Sequence, residues 1–380
     1  MIKEKTNTAL TFEDFKTEVL NDYKIAIKSR ECSLLGRKEV LTGKAKFGIF
    51  GDGKEVPQLA MAKFFKNGDF RSGYYRDQTF MMAIGQLTIQ QFFAGLYGHT
   101  DIAHEPMSAG RQMGGHFVTH SLNDDGTWKN LTKQKNSSAD ISPTAAQMPR
   151  LLGLAQASKI YREVPGITNK SNFSINGNEI AWGTIGNAST TEGVFFETIN
   201  AAGVLQVPLI LSVWDDEYGI SVHAKHQTTK ESISEILKGY QREEDTNGFE
   251  IFKVKGWDYA DLIATYERAA DIAREKHIPV LIHVEELTQP QGHSSSGSHE
   301  RYKNSARLAW EKDFDCLRQM KLWMIAINIA SPEEIEAIDI QTRKEVLEGK
   351  KAAWDAFIEP IIEEQKEFIS LLQKIATLSK

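Results

Sequence analysis

Residues 179–221 read EIAWGTIGNASTTEGVFFETINAAGVLQVPLILSVWDDEYGIS, and the order of signals within them decides the fold. Residues 180–185 are a short apolar run stopping at Gly186, the pattern of a buried strand feeding a turn. Ser189, Thr190 and Thr191 are N-cap candidates, with Glu192 in the first turn. Val194, Phe195, Ile199, Ala202 and Leu205 then make one apolar helical face. Pro208 breaks the helix, and residues 209–213 are a second apolar run ending at Asp215-Asp216. Strand, tight turn, helix and strand of these lengths predict a right-handed parallel crossover unit. Ligands of such sheets bind beyond the carboxyl ends of the strands. Asn187 and Asp216 both fall there, and the helix between them aims free amides, which attract phosphate, at the same place.

These residue types suit a divalent cation held with a diphosphate. Mg²⁺ takes oxygen ligands and is usually held by one or two protein groups plus substrate phosphates. Asn187 offers an amide oxygen, Asp216 a carboxylate, and Tyr218 its backbone carbonyl. The same stretch also fits an ordinary strand–helix–strand unit, so the rest of the chain has to decide.

The alternation continues on the C-terminal side. Residues 229–240 predict a helix, 249–254 a strand, and 259–276 a helix with Leu262, Tyr266, Ala269 and Ile272 on one face. Residues 278–284 are a strand rich in β-branched side chains. Alternation of this kind predicts an α/β fold, a doubly wound parallel sheet. On the N-terminal side, Thr11 caps a helix with Asp14 three residues on and Phe15, Val19, Tyr23 and Ile27 facing inward. Residues 120–140 are polar and predict a loop. Ser331-Pro332-Glu333-Glu334 starts a helix whose stripe of Trp354, Phe357, Ile361, Phe368 and Leu372 is interrupted only by Pro360. The expected organisation is one α/β domain over residues 1–330, with N-terminal helices, and a helical extension or linker over 331–380 that needs a partner surface.

Composition narrows the class. The 380 residues are 41% hydrophobic and 25% charged, with a net charge of −6. That is ordinary for a soluble protein and gives no reason to expect a nucleic-acid or anionic membrane partner. Cys32 and Cys316 cannot make a disulfide framework, residues 1–8 lack the apolar core of a signal peptide, and no apolar run has membrane-spanning length. A cytoplasmic location is expected. The CxxC, HExxH, GxSxG and Walker patterns are absent from the sequence.

Blocks between about residues 12 and 330 resemble, in order, the thiamine-diphosphate enzymes, and most of all the alpha subunits of the pyruvate and branched-chain 2-oxo acid dehydrogenases. Gly186-Asn187-Ala188-Ser189-Thr190-Thr191-Glu192-Gly193 is similar to the family's Gly-(Asp/Glu)-Gly-Ala-x-Ser-Glu-Gly, and Asp215-Asp216-Glu217-Tyr218-Gly219-Ile220-Ser221 to its Asn-Asn-x-Tyr-x-Ile-Ser. The match departs at both metal ligands, where Asn187 and Asp216 exchange an amide and a carboxylate, at Ala188, a glycine in the family, and at Trp214, an arginine in the branched-chain enzymes. Gly53-Lys54-Glu55 resembles Gly-Gln-Glu, whereas the literal Gly51-Asp52-Gly53 has no Asn-Asn or Asp-Asp at the required distance. Tyr75-Arg76 stands where the family contacts the diphosphate. Residues 110–116, GRQMGGH, resemble Gly-Arg-Gln-Met-Pro-Val-His. Residues 142–147 resemble Ser-Pro-x-Ala-Thr-Gln, with Ala146 in place of the threonine that serves a potassium ion in the branched-chain enzymes. Gly292-His293-Ser294-Ser295-Ser296 resembles the loop whose histidine sits over the cofactor.

The resemblance implies oxidative decarboxylation of a branched-chain 2-oxo acid or pyruvate, with acyl transfer to a lipoyl group. It implies the cofactors thiamine diphosphate and Mg²⁺, with Asn187, Asp216 and Tyr218 on the metal. Tyr75, Arg76, Ser142, Thr144, Gly186, Ala188 and Ser189 would hold the cofactor, and His293 would contact it and assist catalysis. The partners implied are a beta subunit or fused beta half, which carries the glutamate that activates the cofactor, and a lipoyl-bearing acyltransferase, in an α2β2 assembly or dimer. The altered ligands keep two other readings open: a non-catalytic subunit of such a complex, or another thiamine-diphosphate enzyme such as an acetoin dehydrogenase or a transketolase half.

Overall fold

The computed structural model describes residues 11–168 and 170–378. Residues 1–8, read above as lacking a signal peptide, lie outside them. The elements run α1 (Phe12–Leu41), α2 (Glu55–Phe64), β1 (Phe70–Ser72), α3 (Gln78–Ala83), α4 (Ile89–Tyr97), β2 (Asn136–Ser137), α5 (Gln147–Glu163), β3 (Ala181–Gly186), α6 (Gly193–Leu205) and β4 (Leu209–Trp214). A small antiparallel ribbon follows, β5 (Tyr218–Gly219) with β6 (Val222–His223). Then come α7 (Ile233–Ile236), β7 (Glu250–Lys255), α8 (Tyr259–Lys276), β8 (Val280–Glu285), α9 (Ser305–Asp313), α10 (Cys316–Ala326) and α11 (Pro332–Leu378).

Six strands form one parallel sheet in the order β2-β1-β3-β4-β8-β7. β3 and β4 pair from Ala181↔Leu209 to Gly186↔Trp214, so the two loops carrying Asn187 and Asp216 leave the sheet side by side. Chain order reverses beside β1: β2 lies on one side of it, and β3 and β4 follow on the other. A crevice at such a reversal is where open α/β sheets bind ligands.

Side-chain alternation on these central strands separates two cores. Trp182, Ile210, Val280, Ile282 and Val284 face helices α1, α2, α8 and α10. Ala181, Ile185, Leu209, Leu211, Val213 and Leu281 face α5 and α6. Apolar area buried on both faces makes these strands continuous hydrophobic runs, as in the sequence. Asp69 ties β1 to its neighbour by accepting from the Ile180 amide, Trp182 Nε1 and Arg274.

Several local expectations are corrected. The Ser189–Thr191 hydroxyls do not cap α6: Thr190 Oγ1 donates to the Asn187 carbonyl and Thr191 Oγ1 to that of Ala188, building a 3₁₀ turn before the helix opens at Gly193. Hydroxyls this close to their own backbone compete with capping geometry. The expected helix over 229–240 is broken into 3₁₀ and α turns, with Lys230 at φ 63°. Part of the expected loop over 120–140 instead adds β2 to the sheet edge. At the C-terminus, Ser331 and Glu334 form a reciprocal capping box, and Ile335, Val346 and Ala353 are buried in the same core as α1 and α2. Beyond Pro360 the helix is exposed, Ile361, Phe368 and Leu372 included, among the described residues. Among the described residues, no helix is long and apolar enough to cross a membrane.

Candidate functional site

The carboxyl ends of β1, β3, β4 and β8 surround one cavity of about 400 Å³. Loop 73–77, after β1, brings Tyr74, Tyr75 and Arg76; the turn after β3 brings Gly186, Asn187, Ala188 and Ser189; the loop after β4 brings Asp216 and Tyr218; the loop after β8 brings Gln289 and His293. Thr144 also lies on the wall. Ser142 does not. Its hydroxyl is 2.9 Å from Nε2 of His116, whose Nδ1 is 2.9 Å from the Met113 carbonyl, so the 110–116 block holds the Ser142 loop rather than the cavity.

The loop after β4 is fixed at several points. Asp215 Oδ1 accepts from the Glu217 amide and Oδ2 from Nε2 of fully buried His283, whose Nδ1 meets Ser234 Oγ at 2.9 Å. Arg307 reaches in from α9 to the Asp216 carbonyl and the Glu217 carboxylate. Glu217 and Ile220 take φ of 65° and 57°, left-handed values that are strained for a β-branched residue such as Ile220. This bends the chain into the β5–β6 ribbon. Gly219 leaves room for Ala188: a Cβ at 219 would sit 2.6 Å from the Ala188 methyl. The alanine in place of the family's glycine is thus accommodated by a glycine across the turn.

Gly51-Asp52-Gly53 supports the cavity from below. A Cβ at Gly53, where φ is 85°, would collide with the Thr288 carbonyl, and one at Gly51 with the Arg76 carbonyl. Asp52 accepts from the Gln291 amide through Oδ2. Its role is close backbone packing against the loop after β8.

This packing delivers the residue that the sequence reading passed over. Lys54 is 1% exposed, and its ammonium lies 2.9 Å from Asp216 Oδ2, 2.6 Å from Gln289 Oε1 and 3.2 Å from the Thr288 carbonyl. Asp216 Oδ1 accepts from the Tyr218 amide. Burial opposes ionisation of Asp216, but the Lys54 cation, its hydrogen bond and Arg76 hold the carboxyl below its ordinary range. The buried Arg76 guanidinium donates to the Phe50 carbonyl and to His293. Burial, reinforced by that guanidinium, pushes His293 down to about 4, so the imidazole is neutral at pH 7.

The two halves of the implied ligand fit this wall differently. A diphosphate meets a wall that includes buried Lys54 and Arg76 together with Tyr75 and Ser189. Of the three groups expected to hold a divalent cation, Asp216 is the one carboxylate, and both its oxygens are engaged, one of them by an ammonium. Like charges so close in a buried site repel strongly.

The sequence profile of the family described as "Dehydrogenase E1 component" matches residues 24–361. The chain is 26% identical over 293 residues to the 2-oxoisovalerate dehydrogenase subunit alpha of Bacillus subtilis (strain 168), covering 77% of each chain. It is 23% identical over 313 residues to the mitochondrial 2-oxoisovalerate dehydrogenase subunit alpha of Homo sapiens, covering 82% of this chain and 61% of that one. Against the pyruvate dehydrogenase E1 component subunit alpha of Rickettsia bellii (strain RML369-C) it is 22% identical over 170 residues, 45% of this chain and 49% of that one. With a match that runs from within α1 into α11 and takes in every strand around the cavity, the chain belongs to the dehydrogenase E1 component family.

Proposed function

We propose that this chain is the alpha half of the decarboxylating component of a 2-oxo acid dehydrogenase and holds the diphosphate end of thiamine diphosphate in the cavity. The observation that carries the reading is the meeting of Arg76, His293 and the 186–189 turn at one reversal of the sheet. Three separately weak sequence blocks converge there, in the family's order. Similarity to 2-oxoisovalerate dehydrogenase alpha subunits favours a branched-chain 2-oxo acid over pyruvate as the substrate.

Thiamine diphosphate bound here would supply the nucleophile and the electron sink that decarboxylation of a 2-oxo acid requires. The chain's own residues bind and orient. Arg76, whose planar fork suits phosphate oxygens, and Tyr75 hold the diphosphate with Ser189 and the backbone of Gly186 and Ala188. Thr144 closes one side of the cavity. His293 accepts from Arg76 at Nδ1, which leaves the proton on Nε2 as a neutral donor toward the oxygen of a reacting carbonyl. A beta partner would complete the site, and a lipoyl-bearing acyltransferase would take the acyl group.

The reading is tested by pairing the chain with its beta half and following 2-oxo acid turnover with an artificial electron acceptor. Turnover that needs thiamine diphosphate and is lost in Arg76→Ala supports it. Tight association with the partner, without cofactor binding, would instead support a non-catalytic assembly subunit, a reading favoured by Ala188, where the family has glycine, and by Trp214, where the branched-chain enzymes have arginine.

A further inference from the structure

Lys54 follows Gly51-Asp52-Gly53 and opens α2 at the foot of the cavity, 162 residues from Asp216. Its ammonium has three protons, and three acceptors surround it: Asp216 Oδ2, Gln289 Oε1 and the Thr288 carbonyl. The contact is built rather than incidental, because the side chain is only 2% exposed and the glycines at 51 and 53 let the loop press against its partners. Lys54 is also among the residues that line the cavity. Of the three groups expected to hold a metal, Asp216 alone is charged, and its charge is already balanced.

We propose that Lys54 is the resident cation of this site: its ammonium stands against Asp216 in place of a divalent ion, and the phosphate end of the ligand binds without a metal. The ligand's identity rests on the function proposed above; the metal independence rests on Lys54 and Asp216. Gln289 Oε1 is a neutral acceptor, so Nζ can exchange that contact for one to a phosphate oxygen. Arg76, with no carboxylate among its hydrogen bonds, adds uncompensated positive charge in a buried medium where attraction to an anion is strong. The exchange of amide and carboxylate between positions 187 and 216 then has a reason: the acid stands where Lys54 reaches it.

The test measures binding of inorganic pyrophosphate and of thiamine diphosphate by calorimetry, on the full chain assembled with its beta partner, in EDTA and in Mg²⁺. The EPR signal of free Mn²⁺ reports metal uptake separately. Wild-type protein is expected to bind both ligands with affinities that change by less than about threefold on adding Mg²⁺, and to leave Mn²⁺ free. Lys54→Gln restores the neutral residue of the family pattern and frees Asp216 Oδ2. It is expected to lose about tenfold or more in EDTA and to take up Mn²⁺ together with the ligand. Wild-type binding that tightens tenfold or more with Mg²⁺ would overturn the inference while leaving the function intact. Metal-free binding of pyrophosphate but not of thiamine diphosphate would overturn the function and leave the inference. Failure of both ligands under every condition would overturn both. The wild-type comparison needs no variant, so a folding defect in Lys54→Gln cannot obscure it.

Discussion

Arg76 donates from Nη2 to Nδ1 of His293 at 3.0 Å and to the His293 carbonyl at 2.9 Å. A guanidinium has no acceptor, so Nδ1 must be the bare nitrogen and Nε2 must carry the proton. One contact thereby sets the tautomer of the candidate catalytic histidine, and burial, reinforced by the same cation, keeps it uncharged.

The first prediction concerns pH. In the unfolded chain His293 takes a proton below its ordinary 6.5, whereas in the native state it resists until about 4. The unfolded state binds more protons in that window, so stability falls as pH drops from 6.5 towards 4 and is unaffected by this group above it. Arg76→Met removes the repelling cation and moves the His293 titration upward. NMR of labelled imidazole carbons checks both; a wild-type midpoint near 6.5, or no movement in the variant, would contradict the account.

The second concerns Ala188 and Gly219. Gly219→Ala pushes a methyl to 2.6 Å from the Ala188 methyl and against Gln227, an overpacking expected to cost about 1–3 kcal/mol. Ala188→Gly should recover part of that loss, giving a coupling of about 0.5 kcal/mol or more in a double-mutant cycle. Additive effects in thermal or urea unfolding would mean the two positions are independent.

The third concerns the base of α2. Glu55 is fully buried and accepts from Arg30 Nε and Nη2 at 2.7 and 3.0 Å, while Arg30 also pairs with Asp315 at 2.9 Å. Glu55 also receives the Gly53 amide, so the pair holds the loop that presents Lys54. Glu55→Ala strands part of a buried guanidinium's charge and is expected to destabilise by about 3–5 kcal/mol. An unchanged melting temperature would show that the ion pair is dispensable.

Much of this was legible in the sequence, for a physical reason. Strands β3 and β4 are covered on both faces, so each is a solid apolar run bounded by Gly186, Pro208 and Asp215, and the reading misses their limits by no more than one residue. Helix α8 has one buried stripe and a capping Asp258, and its bounds coincide with the expectation. The start of α6 was misread because Ser and Thr serve as caps and as turn-formers with the same local pattern. The break at Lys230 is a backbone choice that side-chain periodicity does not encode. In the site, the expected residues meet at the cavity except Ser142, which a hydrogen bond to His116 turns away. Lys54 was missed because its partner is remote in the chain. The signal was a charge added at the neutral centre of the Gly-Gln-Glu pattern.

The fourth prediction separates the two parts of α11. Truncation after residue 360 removes exposed side chains such as Phe368, Leu372 and Ile375 and is expected to leave the melting temperature nearly unchanged. Truncation after residue 331 removes buried Ile335, Val346 and Ala353 and is expected to prevent folding. Equal behaviour of the two would mean the extension is a unit apart from the core.

The central claim is that this cavity holds the diphosphate of thiamine diphosphate. Calorimetric titration of thiamine diphosphate into the chain assembled with its beta partner, for wild type and Arg76→Ala, tests it most directly. The account predicts saturable binding near one cofactor per alpha chain, weakened by about tenfold or more in the variant. No binding by the wild type, or equal binding by both proteins, would contradict it.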